Sequence, residues 1–376
     1  MRVLVVNAGS SSLKLSLLDA ADAVIAAVEL DAPRARADAD ELREALRPPL
    51  AQADAVGHRI VHGGERFRAA VRIDEQVRAA LGALVELAPL HQPKSLAALD
   101  AVSAALPELP AVACFDTAFH ATLAPAAATY ALPAQWRERF GLRRFGFHGL
   151  SHAWVARRAP QLLDAAERDS GGGRGRHPAE LRIVSCHLGA GASLCAVAGG
   201  RSLDTTMGFT PLEGLVMATR SGSVDPGMLL WLAADGRVDI AELADALEHR
   251  SGLLGLAGSA DMREIVERAA QGDEHAQLGL DVYVHRLRGA IAAMSAALGG
   301  LDVLVFTGGV GERAPAVRAR AAAGLGFLGV GLDAARNRGA SADVDVSAAG
   351  ARVRTLVIGA REDAEIARQT RALLGG

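Results

Sequence analysis

Short apolar runs alternate with glycine-rich breaks along the whole chain, a rhythm that predicts an α/β protein. Val3-Leu4-Val5-Val6 is rich in β-branched residues and predicts a buried strand. It breaks at Asn7-Ala8-Gly9-Ser10-Ser11-Ser12, the composition of a tight turn. Leu13, Leu15, Leu17 and Leu18 follow, with Lys14 and Ser16 between them, as a second strand. The same form returns later. Leu181–Cys186 predicts a strand, His187-Leu188-Gly189-Ala190-Gly191-Ala192-Ser193 a small-residue turn, and Cys195–Val197 a strand ending at Gly199-Gly200. Setting His187 on Asn7 puts Gly189 on Gly9, which suggests a duplicated hairpin.

Further strands are predicted from Ala55, at Ala111–Phe115, from Leu301 to Phe306 and at Val353–Ile358. Helices are predicted near 39–46, 74–87 and 94–106, from Ser151, and at 227–234, 239–248, 261–271, 276–298 and 364–374. The tract Gly171-Gly172-Gly173-Arg174-Gly175-Arg176 reads as a surface loop.

Composition narrows the classes. The chain has 376 residues, enough for two or three domains; half are hydrophobic, 22% are charged and the net charge is -3. A balance without a basic block argues against nucleic acid as a partner. No apolar run is long enough to span a bilayer, and no basic-then-apolar leader precedes the first strand. Cys114, Cys186 and Cys195 lie in apolar segments without metal-ligand spacing and read as reduced core residues, so a cytoplasmic protein is expected.

Several side chains stand out against this background. Arg59 sits in a short apolar strand between His58 and His62, where a buried cation needs an acidic partner or an anionic ligand. Asp116 ends the strand Ala111–Phe115, where open α/β sheets place ligand-binding groups. It suits a Mg²⁺ ligand or a helix N-cap. His148 lies in the turn Phe145-Gly146-Phe147-His148-Gly149, Arg220 among small residues, and Glu362 at a helix start. The residues alone leave packing, ion pairing and catalysis open at these positions. There is no P-loop, no protein-kinase signature set and no nucleophile elbow. Gly309-Val310-Gly311-Glu312-Arg313-Ala314 fits a dinucleotide fingerprint, with Asp333 at a plausible distance for a ribose. A nicotinamide-dependent oxidoreductase is therefore a second reading. Isolated arginines, acids and glycine turns after strands suit phosphoryl transfer better, since that chemistry is mostly positioning and charge.

Read together, the motifs point further. Asn7–Lys14, His58-Arg59-Ile60-Val61-His62-Gly63-Gly64, Ala88-Pro89-Leu90-His91, Phe115-Asp116-Thr117-Ala118-Phe119-His120, Phe145–Gly149, His187-Leu188-Gly189, Arg220-Ser221-Gly222 and Phe306–Glu312 together resemble the acetate kinase family, in its order and over nearly the whole chain. The resemblance implies a two-domain actin/sugar-kinase/Hsp70-like fold with a duplicated βββαβαβα core and a central cleft. The first domain would be 1–120 plus 364–376, and the second 121–363. It implies reversible transfer of the ATP γ-phosphoryl group to acetate or another short carboxylate, propionate included, with Mg²⁺ or Mn²⁺ and a homodimer as the assembly.

Carried onto this chain, Arg59, Asp116, His148, Arg220 and Asn7 would be catalytic, and Asn7, Asp116 and Glu362 would organise the metal. Arg59, Val61, Leu90, Phe147 and Pro211 would hold the acyl substrate. Ser10, Ser12, Lys14, His187, Gly189, Gly191, Asp261, Met262, Arg263, Gly309, Val310, Gly311, Glu312 and Arg313 would line the nucleotide. The chain departs from the family pattern at Ala190, Ser223 and Arg313, which stand for Asn, Asp and Asn. These departures place any change on the nucleotide side, and a catalytically weak nucleotide-binding relative is a further reading.

Overall fold

A computed structural model describes residues 1–9, 12–31, 39–88, 92–169 and 180–375. The glycine-arginine tract predicted as a loop lies outside the described residues. The chain forms two compact units, each built on a six-stranded mixed sheet. The first comprises 1–121, 147–154 and the chain from Arg361 on; the second comprises 122–146 and 155–360.

The first unit holds β1 (Val3–Ala8), β2 (Ser12–Leu18), β3 (Val24–Asp31), β4 (Ala55–Ile60), β5 (Val71–Arg72) and β6 (Ala111–Phe115), in the order β3-β2-β1-β4-β6-β5. The hairpin β1–β2 is antiparallel, while β1, β4 and β6 run parallel. Strands covered on both faces are continuously apolar, and Val3–Val6 is fully buried, whereas edge strand β3 has no buried residue. One face carries Leu4, Val6, Leu15, Leu17 and Val56 under Ala98 and Val102 of the helix Gln92–Ala105. The other carries Val3, Val5, Leu18 and Cys114 under Ile366 and Ala367 of the C-terminal helix Glu362–Leu374.

That second contact depends on Gly57 in β4. A Cβ there would lie 2.6 Å from both Ile366 Cγ2 and Thr370 Oγ1. Gly57→Val is therefore expected to destabilise by about 1–3 kcal/mol, the usual cost of overpacking. Thermal unfolding reads this, with Gly82→Ala as a control that does not destabilise, since its nearest neighbour is the end of the Arg78 side chain at 3.5 Å.

The next residue, His58, is buried, and both ring nitrogens lack a hydrogen-bond partner. Burial lowers its pKa to about 4, with nearby Asp100 pulling the other way. In the unfolded chain imidazole titrates near about 6.5, so above that pH His58 is neutral in both states. As pH falls toward 4 the unfolded chain takes up a proton that the native one refuses. Stability then drops by about 3 kcal/mol in all. Denaturation of His58→Leu followed from pH 7 to pH 4 should show a shallower loss than that of the wild type.

The second unit repeats the plan with β7 (Arg182–Leu188), β8 (Ala192–Ala198), β9 (Arg201–Thr205), β10 (Val303–Thr307), β11 (Val344–Asp345) and β12 (Arg354–Val357). Their order is β11-β12-β10-β7-β8-β9. β9-β8-β7-β10-β12 thus matches β3-β2-β1-β4-β6 strand for strand, the duplicated core of the two-domain actin/sugar-kinase/Hsp70-like fold. The predicted hairpin repeat is literal: Asn7 pairs with Lys14 near the end of β1, and His187 with Ser193 near the end of β7. The long helix Glu274–Ala297 buries Leu280, Tyr283, Leu287 and Ile291.

This strand order removes the nicotinamide-fold reading, because β10 lies between parallel neighbours β7 and β12 with an antiparallel hairpin beyond. Asp333 is half-buried and caps the short helix Ala334–Arg338 by accepting from the Arg336 N–H at 2.8 Å. The three cysteines are free and buried, and burial pushes the Cys114 and Cys195 thiols up to about 12. No described helix is long and apolar enough to cross a membrane.

Two short segments pack with the first unit although the resemblance assigned them to the second domain. They are Phe147–Trp154 and Arg361–Asp363. The physical reason is burial: Leu150 joins the core of Val3, Val5 and Ile366, and the Phe147 ring sits edge-on to His62 at 5.5 Å.

Candidate active site

In the first unit, three adjacent parallel strands deliver polar residues at their carboxyl ends, where open α/β sheets bind ligands. β1 carries Asn7 and β4 carries Arg59, each one residue before the strand's last, and β6 leads directly into Asp116. Glu362 comes from the first residue of the C-terminal helix. The Arg59 guanidinium holds the group together. Its Nη2 donates to Asp116 Oδ2 at 2.6 Å, its Nε to the same oxygen at 3.1 Å, and its Nη1 to Asn7 Oδ1 at 3.2 Å. Asn7 Nδ2 donates to Glu362 Oε2 at 3.5 Å, and that oxygen lies 3.9 Å from Arg59 Nε.

The Asp116 side chain is 1% exposed and that of Arg59 16%. Burial works against the Arg59 charge, but Asp116 and Glu362 outweigh it and raise the pKa above its ordinary value. The sequence left an ion pair and a ligand contact open for Arg59. The structure shows the ion pair, near the carboxyl end of β4.

Asp116 also anchors the turn that presents His148. Its carbonyl accepts from the Gly149 N–H at 2.8 Å, and a Cβ on residue 149 would stand 2.2 Å from that oxygen. His148 itself has φ of 55°. A left-handed histidine costs on the order of 1–3 kcal/mol and persists only where its surroundings enforce it. Val61 and Phe147, close in sequence to Arg59 and His148, are both buried.

Other expected residues stand apart. The Ser12 hydroxyl donates to Glu29 Oε1 at 2.6 Å, and Lys14 Nζ lies 3.6 Å from the same oxygen, on neighbouring strands. Ser10 and Leu90 lie outside the described residues. In the second unit, Arg220 Nη1 donates to the Pro211 carbonyl at 2.6 Å. Burial lowers the Arg220 pKa and Glu248 opposes this, yet a guanidinium stays charged at neutral pH.

His187, one residue before the end of β7, lies opposite Thr307 of parallel β10. The turn after it closes through Gly189 N–H to the Gly191 carbonyl at 2.9 Å. β10 runs into the helix Gly308–Arg313, which brings Gly309, Val310 and Gly311 to the end of the same sheet. Gly308 has φ of 78°, and a Cβ there would press on the Leu188 carbonyl at 2.8 Å. Glu312 Oε1 accepts from the Ala360 N–H at 3.0 Å, and Arg313 is exposed. Asp261 caps the helix Met262–Ala270 and pairs with Arg263 at 2.8 Å, while Met262 is buried.

No cluster of three or more His, Cys, Asp or Glu suited to a metal occurs among the described residues. Asp116, Glu362 and the Asn7 carbonyl do present hard oxygen donors. That set suits Mg²⁺, which binds proteins through one or two carboxylates and takes its other ligands from water and phosphate.

The acetokinase family model matches residues 34–368. The acetate kinase of Trichormus variabilis is 48% identical over 326 residues, covering 86% of this chain and 78% of that protein. The chain belongs to the acetokinase family. Among solved structures, the acetate kinase of Porphyromonas gingivalis superposes with a TM-score of 0.88 at 34% identity, covering 99% of both chains. A propionate kinase from Francisella tularensis gives 0.87 at 32%, again covering 99% of both.

Within this acetokinase chain some supporting residues carry no sequence signal of their own. Gln92 is buried, accepts from the His62 N–H at 3.2 Å and donates to the His62 carbonyl at 3.2 Å. Thr117 Oγ1 accepts from the Gly63 N–H at 3.0 Å. Both fasten the segment after Arg59, and only their place beside proline or a strand end hinted at a role. A cavity of about 870 Å³ in the second unit is lined by Arg144, Asp204, Glu213, Ser223 and Arg286 and by none of the expected site residues.

Proposed function

We propose that this chain is a carboxylate kinase that moves the γ-phosphoryl group of ATP directly to acetate, reversibly, giving acetyl phosphate and ADP. The observation that carries the reading is Arg59, held cationic by Asp116 at the carboxyl ends of three parallel strands in a chain of the acetokinase family. A carboxylate is already deprotonated at neutral pH, so the nucleophile needs no general base. One acetate oxygen bonds to the γ-phosphorus as the bond to the β-phosphate oxygen breaks, and the electron pair leaves on ADP. The transition state spreads charge over three equatorial oxygens and wants cations and donors around them.

Arg59 and Arg220 supply the cations, and His148 and Asn7 supply hydrogen bonds. Val61, Leu90, Phe147 and Pro211 exclude water around the acyl group. His187, Gly189, Gly191, Gly309 and Gly311 offer backbone to the nucleotide. Ser10, Ser12, Lys14, Asp261, Met262, Arg263, Val310, Glu312 and Arg313 support it. Asp116 and Glu362 would hold Mg²⁺, with Asn7 beside them, and the ion would neutralise phosphate charge.

The assembly we propose is a homodimer, with a cytoplasmic location. The helix Pro226–Ala233 buries none of its residues, and Leu230 and Trp231 are 73% and 59% exposed. Apolar surface of that kind marks an interface, here one for a second copy of the chain.

Acetate and propionate differ by one methylene, worth only about 1–3 kcal/mol in an apolar pocket. Hydroxylamine trapping with acetate, propionate and butyrate, against ATP and GTP, tests the reading. Acetyl hydroxamate formed fastest from acetate supports it. Faster turnover of propionate makes the chain a propionate kinase, and no hydroxamate from any acid removes the proposal.

A further inference from the structure

The motif Phe115–His120 contains one histidine that the reaction above leaves without work. His120 is buried in the short 3₁₀ turn Ala118–Thr122. Its Nε2 lies 3.0 Å from the Phe147 carbonyl oxygen. A carbonyl can only accept, so His120 carries its proton on Nε2 and donates. Phe147 is flanked by two residues in the left-handed region, Gly146 with φ of 73° and His148 with φ of 55°. Glycine adopts that conformation freely, and histidine does not. Two further bonds fix the far side of His148: the Gly149 N–H to the Asp116 carbonyl at 2.8 Å, and the His152 N–H to the His148 carbonyl at 3.0 Å. The His120 ring is itself packed edge-on against Phe119 and against His152, each at 5.7 Å.

We infer that His120 is a positioning residue: by clamping the Phe147 carbonyl it holds His148 in the strained backbone conformation from which His148 serves phosphoryl transfer. The inference rests on the proposed role of His148. Without the clamp, the peptide between Phe147 and His148 is free to rotate toward a relaxed backbone, and the imidazole moves with it. The Phe147 ring keeps its packing against His62, so acyl binding is retained. The clamp thus acts on rate and spares affinity.

The test uses the full-length protein with Mg²⁺-ATP and acetate and reads kcat, both KM values and the thermal midpoint. His120→Leu removes the donor, and His120→Gln restores an N–H at similar reach. His120→Leu is expected to lower kcat about 10- to 100-fold, the scale of a misplacement of about 1 Å. Both KM values should stay within about twofold, and His120→Gln should recover most of the rate. Because the clamp acts through His148, adding His120→Leu to His148→Ala should cost nothing more.

A folded His120→Leu with the wild-type kcat overturns the inference, and so does a double variant whose losses multiply. If His120→Leu does not fold, His120→Asn takes its place, polar but too short to reach the carbonyl, with the same expected loss. Wild-type activity in His148→Ala removes the role on which the inference rests. An impaired His148→Ala beside an unimpaired His120→Leu removes the clamp alone.

Discussion

Arg59→Ala should lose both catalysis and fold stability, and the two losses have separate causes. The guanidinium makes a forked contact with Asp116, through Nη2 at 2.6 Å and Nε at 3.1 Å, and a third bond to Asn7. Removing it leaves the Asp116 carboxylate, 1% exposed, without its cation. Stranding one member of a buried pair costs about 3–5 kcal/mol, which chemical denaturation would register. The rate of acyl phosphate formation should fall by about 10³-fold or more, the scale of an arginine removed from a phosphoryl-transfer site. Arg59→Lys separates the effects. It keeps a charge near Asp116 but has no planar fork to reach Asn7 as well, so stability should recover more than rate. An Arg59→Ala enzyme with wild-type kcat would make the pair purely structural.

The second large effect is Arg220→Ala, expected to be nearly silent in stability. Arg220 is held through one hydrogen bond to the Pro211 carbonyl at 2.6 Å, and Glu248 acts on it only through space. Losing that bond costs about 1 kcal/mol. The rate should still fall by about 10³-fold, because the cation acts on charge that develops in the transition state. The expected signature is a collapse of kcat with an almost unchanged thermal midpoint. The contrast with Arg59→Ala is diagnostic, since one arginine is built into a core ion pair and the other is committed only to a loop carbonyl. If Arg220→Ala lowered the midpoint as much as Arg59→Ala, with kcat intact, its role would be architectural.

Much of the fold was legible because local composition and tertiary demand agree. Ala111–Phe115 was readable as a strand to the residue, since parallel strands buried on both faces must be continuously apolar. The hairpins at Asn7 and His187 were readable as a repeat because a small-residue turn between apolar strands has few other uses. The dinucleotide fingerprint at Gly309 misled because a glycine turn between a strand and a helix also suits this different strand order. The glycine just before it, Gly308, lets the helix after β10 approach the β7 end, since a Cβ there would lie 2.8 Å from the Leu188 carbonyl. Nor could spacing tell that Asp333 caps a helix, because a capping carboxylate and a ribose ligand look alike in sequence.

The candidate site was partly legible. Arg59, Asp116, Asn7 and Glu362 are far apart in the chain, and only sheet order brings them together. An arginine in an apolar strand and an acid at a strand end announced themselves singly. Their pairing needs β4 beside β6, with Arg59 in register with Cys114. The positive φ of His148 and the contact of the His120 ring with the Phe147 carbonyl arise only in the folded chain, and no sequence pattern encodes them. Lys14 shows another limit: its ion pair with Glu29, its neighbour in the sheet register, is set by strand pairing and no motif encodes it.

The central claim is that phosphoryl passes directly from ATP to a short carboxylate. Phosphorus NMR of the wild-type chain with ATP, Mg²⁺ and acetate tests it most directly. The expected spectrum shows acetyl phosphate growing in step with ADP, and neither appearing with Arg59→Ala or Arg220→Ala. Inorganic phosphate and ADP without acetyl phosphate, or tight ATP binding with no turnover, would contradict it.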